Sequence, residues 1–261
     1  MDPKTPGAVD TIIHLGDCWH TEDIVPHKQD IIRYNRRISG FFASAYHYLA
    51  AAAQVYTDSA TWCAQAAAPV AEAALQKLTE TYLQPLATAG PVPGRERKLF
   101  LTAITPSGII CHIPSFQEAN LCVLKGDGFV TSSILHALCD SYRKKGYHVE
   151  TFYSPLNPKT QIDHLYIPSL SLLFATHDAI NQFPIPQNAP VIPLDVPLSD
   201  DDEGKINQNS MVLLQLLDLA TQTIQKAKSV HDLLENCYVP HMDFSRVDQI
   251  KNQILHELAL D

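Results

Sequence analysis

The stretch "LKGDGFVTSSIL", Leu124 to Leu135, decides how the rest of the chain is read. An apolar run, Leu121 to Leu124, leads into Lys125-Gly126, a short loop with a second glycine at Gly128, and the hydroxyl cluster Thr131-Ser132-Ser133. A helical pattern follows, with Ile134, Leu135, Leu138 and Tyr142 on one face. This is the outline of a phosphate-binding strand-loop-helix, G-x-x-x-x-G-K-[ST], laid over Gly126 to Ser133.

A working loop of this type does three things. Its glycines let successive backbone N–H groups curl around phosphate oxygens at a helix N-terminus. Its lysine bridges the terminal phosphates, and its hydroxyl holds Mg²⁺. The candidate nucleotide-binding residues are therefore Gly126, Asp127, Gly128, Phe129, Val130, Thr131, Ser132 and Ser133, with Ser133 also the candidate metal ligand. Two positions depart from the pattern. Thr131 stands in place of the second glycine and Ser132 in place of the lysine, while Asp127 adds a negative charge beside the phosphates. Losing one charge-assisted contact, about 1.5–3 kcal/mol, weakens binding tenfold to over a hundredfold, and catalysis falls further.

A nucleotide site also needs an acid at the end of a neighbouring strand. The end of "LSLLFATHD" offers Ala175-Thr176-His177 with Asp178 just beyond, and Asp163 before "HLYIP" is the other candidate. The twelve histidines fall into no H-E-x-x-H or paired spacing, and no Gly-x-Ser-x-Gly elbow or Cys/His pairing supplies a rival nucleophile.

Outward from this centre, "KLFLTAITPSGIICHI" reads as a hairpin around Pro106-Ser107-Gly108, "YHVETFY" (Tyr147 to Tyr153) as a strand, and His164 to Thr176 as one or two more. Gly146 is placed to close the helix after the loop. Strand, helix, strand in this order implies an α/β domain with a parallel sheet. Leu86 to Lys98, "LATAGPVPGRERK", is the clearest linker. Before it, Ile31, Tyr34, Ile38, Phe41, Ala45, Tyr48, Ala52 and Val55 form one helical stripe, and Ala68-Pro69 is expected to start a second helix reaching Leu83. Near the other end, Leu213, Leu217, Ala220, Ile224, Ala227, His231 and Leu234 repeat the three-four spacing, and Asp243 caps a last helix carrying Val247, Ile250, Ile254 and Leu258. The two ends share an order of features at a distance of about 175 to 180 residues, which suits duplication of a whole domain.

The net charge of −9 argues against a nucleic-acid surface and offers no polybasic membrane patch. Hydrophobic content of 46% supports a real core. The six cysteines are scattered, without C-x-x-C, and fit buried free thiols in a reducing cytoplasm. The most apolar stretch, Ile38 to Tyr56, carries Ser39, Ser44, His47 and Gln54 and reads as a packed helix, not a span. No secretory signal pattern opens the sequence.

In order along the chain, "DPKTPGAVDTIIHLGDCW", "LFLTAITPSGIICHI", "LCVLKGDG", "KKGYHVETFYSPLNPKTQIDHLYIPSL" and "YVPHMDFSRVDQI" resemble a family of bacterial tandem P-loop ATPases of unknown physiological role. The resemblance implies an α/β fold with a P-loop NTPase-like parallel sheet and flanking helices, plus long helices from an incomplete first repeat. Residues 1–90 would be the mostly helical remnant of that repeat and 91–261 the P-loop NTPase-like domain with its C-terminal helices. Gly126 matches the first glycine of the family's loop and Ser133 its final hydroxyl. The family's glycine-lysine pair falls on Thr131-Ser132, and its strand-end Asp-Gly-Thr on Ala175-Thr176-His177. The family's first half, with its own loop, would lie upstream of Met1. The expected protein is thus cytoplasmic, with a degenerate site that binds ATP with Mg²⁺ weakly or not at all. It would act as a regulatory or structural half beside a protein partner carrying an intact loop, with no nucleic-acid or membrane partner. The alternatives are an active ATPase or nucleotide kinase whose lysine role is filled from Arg97, Lys98 or a partner, a non-enzymatic helical interaction module, or the tail of a longer reading frame.

Overall fold

A computed structural model of the chain describes residues 7–8 and 11–258. The fold divides into two compact units, one formed by Ala43–Gln225 and the other by Met1–Phe42 together with Lys226–Asp261. Two long helices, α2 (Lys28–Leu78) and α4 (Asp200–Glu235), each contribute residues to both units.

The larger unit is an α/β structure around a six-stranded sheet in the order β1-β5-β6-β7-β4-β8. Its strands are β1 (Glu96–Leu99), β4 (Asn120–Lys125), β5 (Val149–Tyr153), β6 (Ile162–Ile167), β7 (Leu172–His177) and β8 (Val191–Pro193). The β1–β5, β7–β4 and β4–β8 pairs are parallel, whereas β6 runs against both of its neighbours. The sheet is therefore mostly, not wholly, parallel. The physical reason is the short link after β6: Pro168–Leu170 with Ser171 in the left-handed region (φ 45°) reverses the chain, and no crossover helix follows. The end of the expected linker is also strand, because Glu96–Leu99 pairs in register with Val149–Phe152. The hairpin stands apart as β2 (Thr102–Thr105) and β3 (Gly108–Cys111), with Gly108 at φ 108° in the turn.

Helix α3 (Gly128–Lys144) buries the expected stripe, Ile134, Leu135, Leu138 and Tyr142, against Cys122, Leu124, Leu165 and Phe174 on one sheet face. Gly146 (φ 87°) ends it, its N–H donating to the Arg143 carbonyl and the Tyr147 N–H to the Tyr142 carbonyl, a left-handed cap that glycine adopts without Cβ strain. The opposite sheet face packs Val123, Phe152, Leu173 and Ala175 on Leu101, Ile113 and Phe183.

Helix α2 corrects an expectation. It is one helix of 51 residues with Pro69 inside it, running on into a π-turn at Thr79–Leu83, instead of two helices broken at Pro69. An interior proline costs about 3 kcal/mol. Burial of Cys63, Ala67, Ala74 and Leu78 around it, on the same core as α3, offsets that cost.

The smaller unit is built from both ends of the chain. It holds α1 (Thr21–Ile24), α5 (Phe244–Glu257) and 3₁₀ turns at Leu15–Cys18, Val25–His27 and Val239–His241. Trp19 and Met242 form an antiparallel bridge, with Asp243 N–H donating to the Cys18 carbonyl and His20 N–H to the His241 carbonyl. The Trp19 and Tyr238 rings meet edge-on at 5.1 Å. Asp243 caps α5 as expected, accepting from the Arg246 N–H at 3.0 Å. Asp243→Ala is expected to cost about 1 kcal/mol, read as a lower denaturant midpoint, because one N–H donor in the first turn of the helix loses its acceptor. All six cysteines are free, and all but the half-buried Cys111 are buried.

Candidate functional site

Parallel strands β4 and β7 end side by side, Lys125 opposite His177. Their C-terminal ends are where ligands gather in open α/β sheets. Gly126 and Asp127 follow β4, and Asp178 follows β7. The start of β6, antiparallel to β7, brings Gln161, Asp163 and His164 to the same edge.

The turn after β4 is shorter than expected. Asp127 is the N-cap of α3, and Gly128 is already its first residue. Phe129, Val130, Thr131, Ser132 and Ser133 are therefore helical, not a curled loop. The N–H groups of Val130 and Thr131 donate to the Asp127 carbonyl, so they face no ligand. A cradle of successive free amides does not form. Thr131 is fully buried, its hydroxyl 2.7 Å from that of Thr176. Ser132 is buried too, and its Oγ accepts from the Ile162 N–H at 3.0 Å, tying α3 to β6. A lysine here would have to break that tie. Ser133, the expected metal ligand, is exposed and donates to the Val130 carbonyl at 2.8 Å.

The space in front of Gly128 is occupied by the protein itself. A Cβ at this position would lie 2.6 Å from Tyr56 Oη, 2.7 Å from Gln161 Nε2 and 3.0 Å from Asp178 Oδ2. A larger residue here would have to displace these three side-chain ends. A Cβ at Gly126 would likewise lie 2.8 Å from Leu194 Cβ. Gln161 Nε2 donates both to Tyr56 Oη (3.1 Å) and to Asp163 Oδ1 (2.9 Å). Asp178 Oδ1 accepts from the N–H groups of Ile180 (2.9 Å) and Asn181 (2.7 Å) and from Asn181 Nδ2 (3.2 Å). Asn181 Oδ1 in turn accepts from the Thr102 hydroxyl at 2.6 Å.

Three carboxylates thus converge: Asp127, Asp163 and Asp178. Among the described residues none of them forms an ion pair. Burial raises all three above the ordinary carboxylate range, and the charge of Asp178 lifts Asp127 and Asp163 further. Desolvation, then the charges of Asp178 and Asp163, also push the Tyr56 phenol well up, so it stays neutral. The cavity at this edge, between Tyr56, Ser59, Asp127, Phe129, Asp178 and Ser210, measures about 50 Å³.

Asp163 and Asp178 are the strand-end acids expected from the sequence; the fold sets Asp178 against Gly128, and Asp163 joins this edge through Gln161. Tyr56, Gln161 and Asn181 were missed, since each looked like an ordinary helix-stripe or loop residue. Ala175-Thr176-His177 contributes no acid; His177 instead packs edge-on against Phe183 at 5.1 Å. No protein-family model, curated protein or solved structure matches the chain.

Proposed function

We propose that this chain is a catalytically silent, P-loop-type α/β domain whose nucleotide position is filled by its own side chains, and that it acts as a structural or regulatory half beside a protein partner with an intact phosphate loop. The observation that carries the reading is the crowding at Gly128. Tyr56, Gln161 and Asp178 stand where an anion at the α3 N-terminus would sit. A nucleotide needs a pocket of about 300 Å³ or more, against about 50 Å³ at this edge. The acids gathered there disfavour a phosphate, and among the described residues no lysine or arginine pairs with them. Exposed Met211, Leu214 and Leu219 on α4 support a protein partner. Among the described residues no helix is long and apolar enough to cross a membrane.

The test is calorimetric titration of the purified chain with ATP, with and without Mg²⁺. No saturable heat at millimolar ATP is expected. Micromolar binding that requires Mg²⁺ and disappears in Ser133→Ala would overturn the silent reading and make ATP with Mg²⁺ a true ligand.

A further inference from the structure

Asp163 is 1% exposed, and its two oxygens are unequally served. Oδ1 accepts a hydrogen bond from Gln161, whereas Oδ2 is buried with no hydrogen-bond partner among the described residues. Asp178, close by, is the better-supported anion, because its Oδ1 gathers three N–H donors. The titratable groups facing Asp163 are the Tyr56 phenol from α2, Asp178 after β7 and the Cys111 thiol from β3, and Asp127, from the turn before α3, faces Asp178 and Tyr56. Helix α4 adds the Ser210 hydroxyl to this edge and no charge. His164, next along β6, is held neutral, since burial pulls it down to about 3. Among the described residues no lysine or arginine pairs with the acids. Two ionised carboxylates buried side by side without a cation are disfavoured both by desolvation and by mutual repulsion, and one of them takes up a proton instead.

We propose that Asp163 is a proton-binding site: its unpartnered Oδ2 carries a proton in the folded protein at mildly acidic pH, and losing that proton loosens the packing of Tyr56 and Leu213 over the C-terminal edge of the sheet. The proton falls on Asp163 and not on Asp178 because three N–H donors meet at Asp178 Oδ1, while Asp163 Oδ2 lies buried with no such donor. Those helix residues are coupled to the site through Ile180 and Leu156, with which Tyr56 and Leu213 share one apolar cluster. Burial first, then the charge of Asp178, places the Asp163 carboxyl at about 7, with Gln161, Asn181 and Ser154 tempering the rise. An acid whose folded pKa lies above its unfolded value binds more protons when folded, so its contribution to stability is full below the unfolded pKa and is lost as pH rises towards about 7.

Infrared difference spectra of the full chain read the proton directly. The carbonyl band of a protonated carboxyl group is expected at about pH 6, lost by about pH 8, and absent from Asp163→Asn. Denaturant midpoints should fall between about pH 4 and 7 in the wild-type chain, and Asp163→Asn should remove that part of the decline. No band in the wild-type protein at about pH 6 would overturn the proposal even if the variant failed to fold. A band that persists unchanged in Asp163→Asn would overturn it too, by moving the proton to another acid.

Discussion

Gly94→Ala is expected to destabilise the chain by about 3 kcal/mol, the top of the range for overpacking, and the drop should appear as a lower urea midpoint at unchanged slope. A Cβ at Gly94 would lie 1.7 Å from the carbonyl oxygen of Tyr147 and 2.9 Å from the His148 nitrogen. These are backbone atoms, so no side-chain rotation relieves the clash. Gly94 itself is clamped. Its N–H donates to the Arg143 carbonyl at 2.8 Å, and its carbonyl accepts from Arg143 Nε at 3.1 Å. Moving it would drag Arg95, whose carbonyl accepts from the Val149 N–H and whose own N–H donates to His148 Nδ1, and with it the β1–β5 register. A loss below about 1 kcal/mol would mean that the strand at this sheet edge shifts freely.

The second large effect is expected at Tyr142. Its side chain is wholly buried, meets Tyr147 edge-on at 5.9 Å and lies 6.2 Å from Phe174, and its hydroxyl donates to the Tyr82 carbonyl at 3.2 Å. Tyr142→Ala removes the ring that joins α3 to β7 and to the turn after α2, and should cost about 3–5 kcal/mol. Tyr142→Phe keeps the ring and loses one hydrogen bond, so about 1 kcal/mol is expected. Denaturant titrations of both variants separate packing from polarity. Equal losses would place the weight on the hydroxyl and not on the ring.

Much of this arrangement was legible in the sequence because it rests on local rules. The α3 stripe from Ile134 to Tyr142, the left-handed Gly146 after it, the Pro-Ser-Gly hairpin and the Asp243 cap are each fixed by neighbours within a few residues. The errors came where distant contacts decide. Pro69 reads as a helix break on propensity alone, and only the buried residues on either side of it keep α2 whole. Strand direction in β6 depends on the turn that follows it, not on its own apolar pattern. At the candidate site, the glycines and acids could be picked out one by one. That the acids stand against the α3 N-terminus could not, because the partners Tyr56, Gln161 and Asp178 come from three separate segments.

The smaller unit has a consequence for how the protein is made. Its bridge joins Trp19 to Met242, and its backbone bonds tie Cys18 to Asp243 and His20 to His241. A ribosome delivers the first of each pair long before the second. The larger unit, whose strands all lie between these ends, can fold as it emerges, while the early segment waits without its partners. Trp19, only half-buried even in the finished fold, then carries more apolar surface into solvent throughout synthesis. This window is where a nascent chain of this design is most open to chaperones, and the unit closes only after Met242 and Asp243 have emerged.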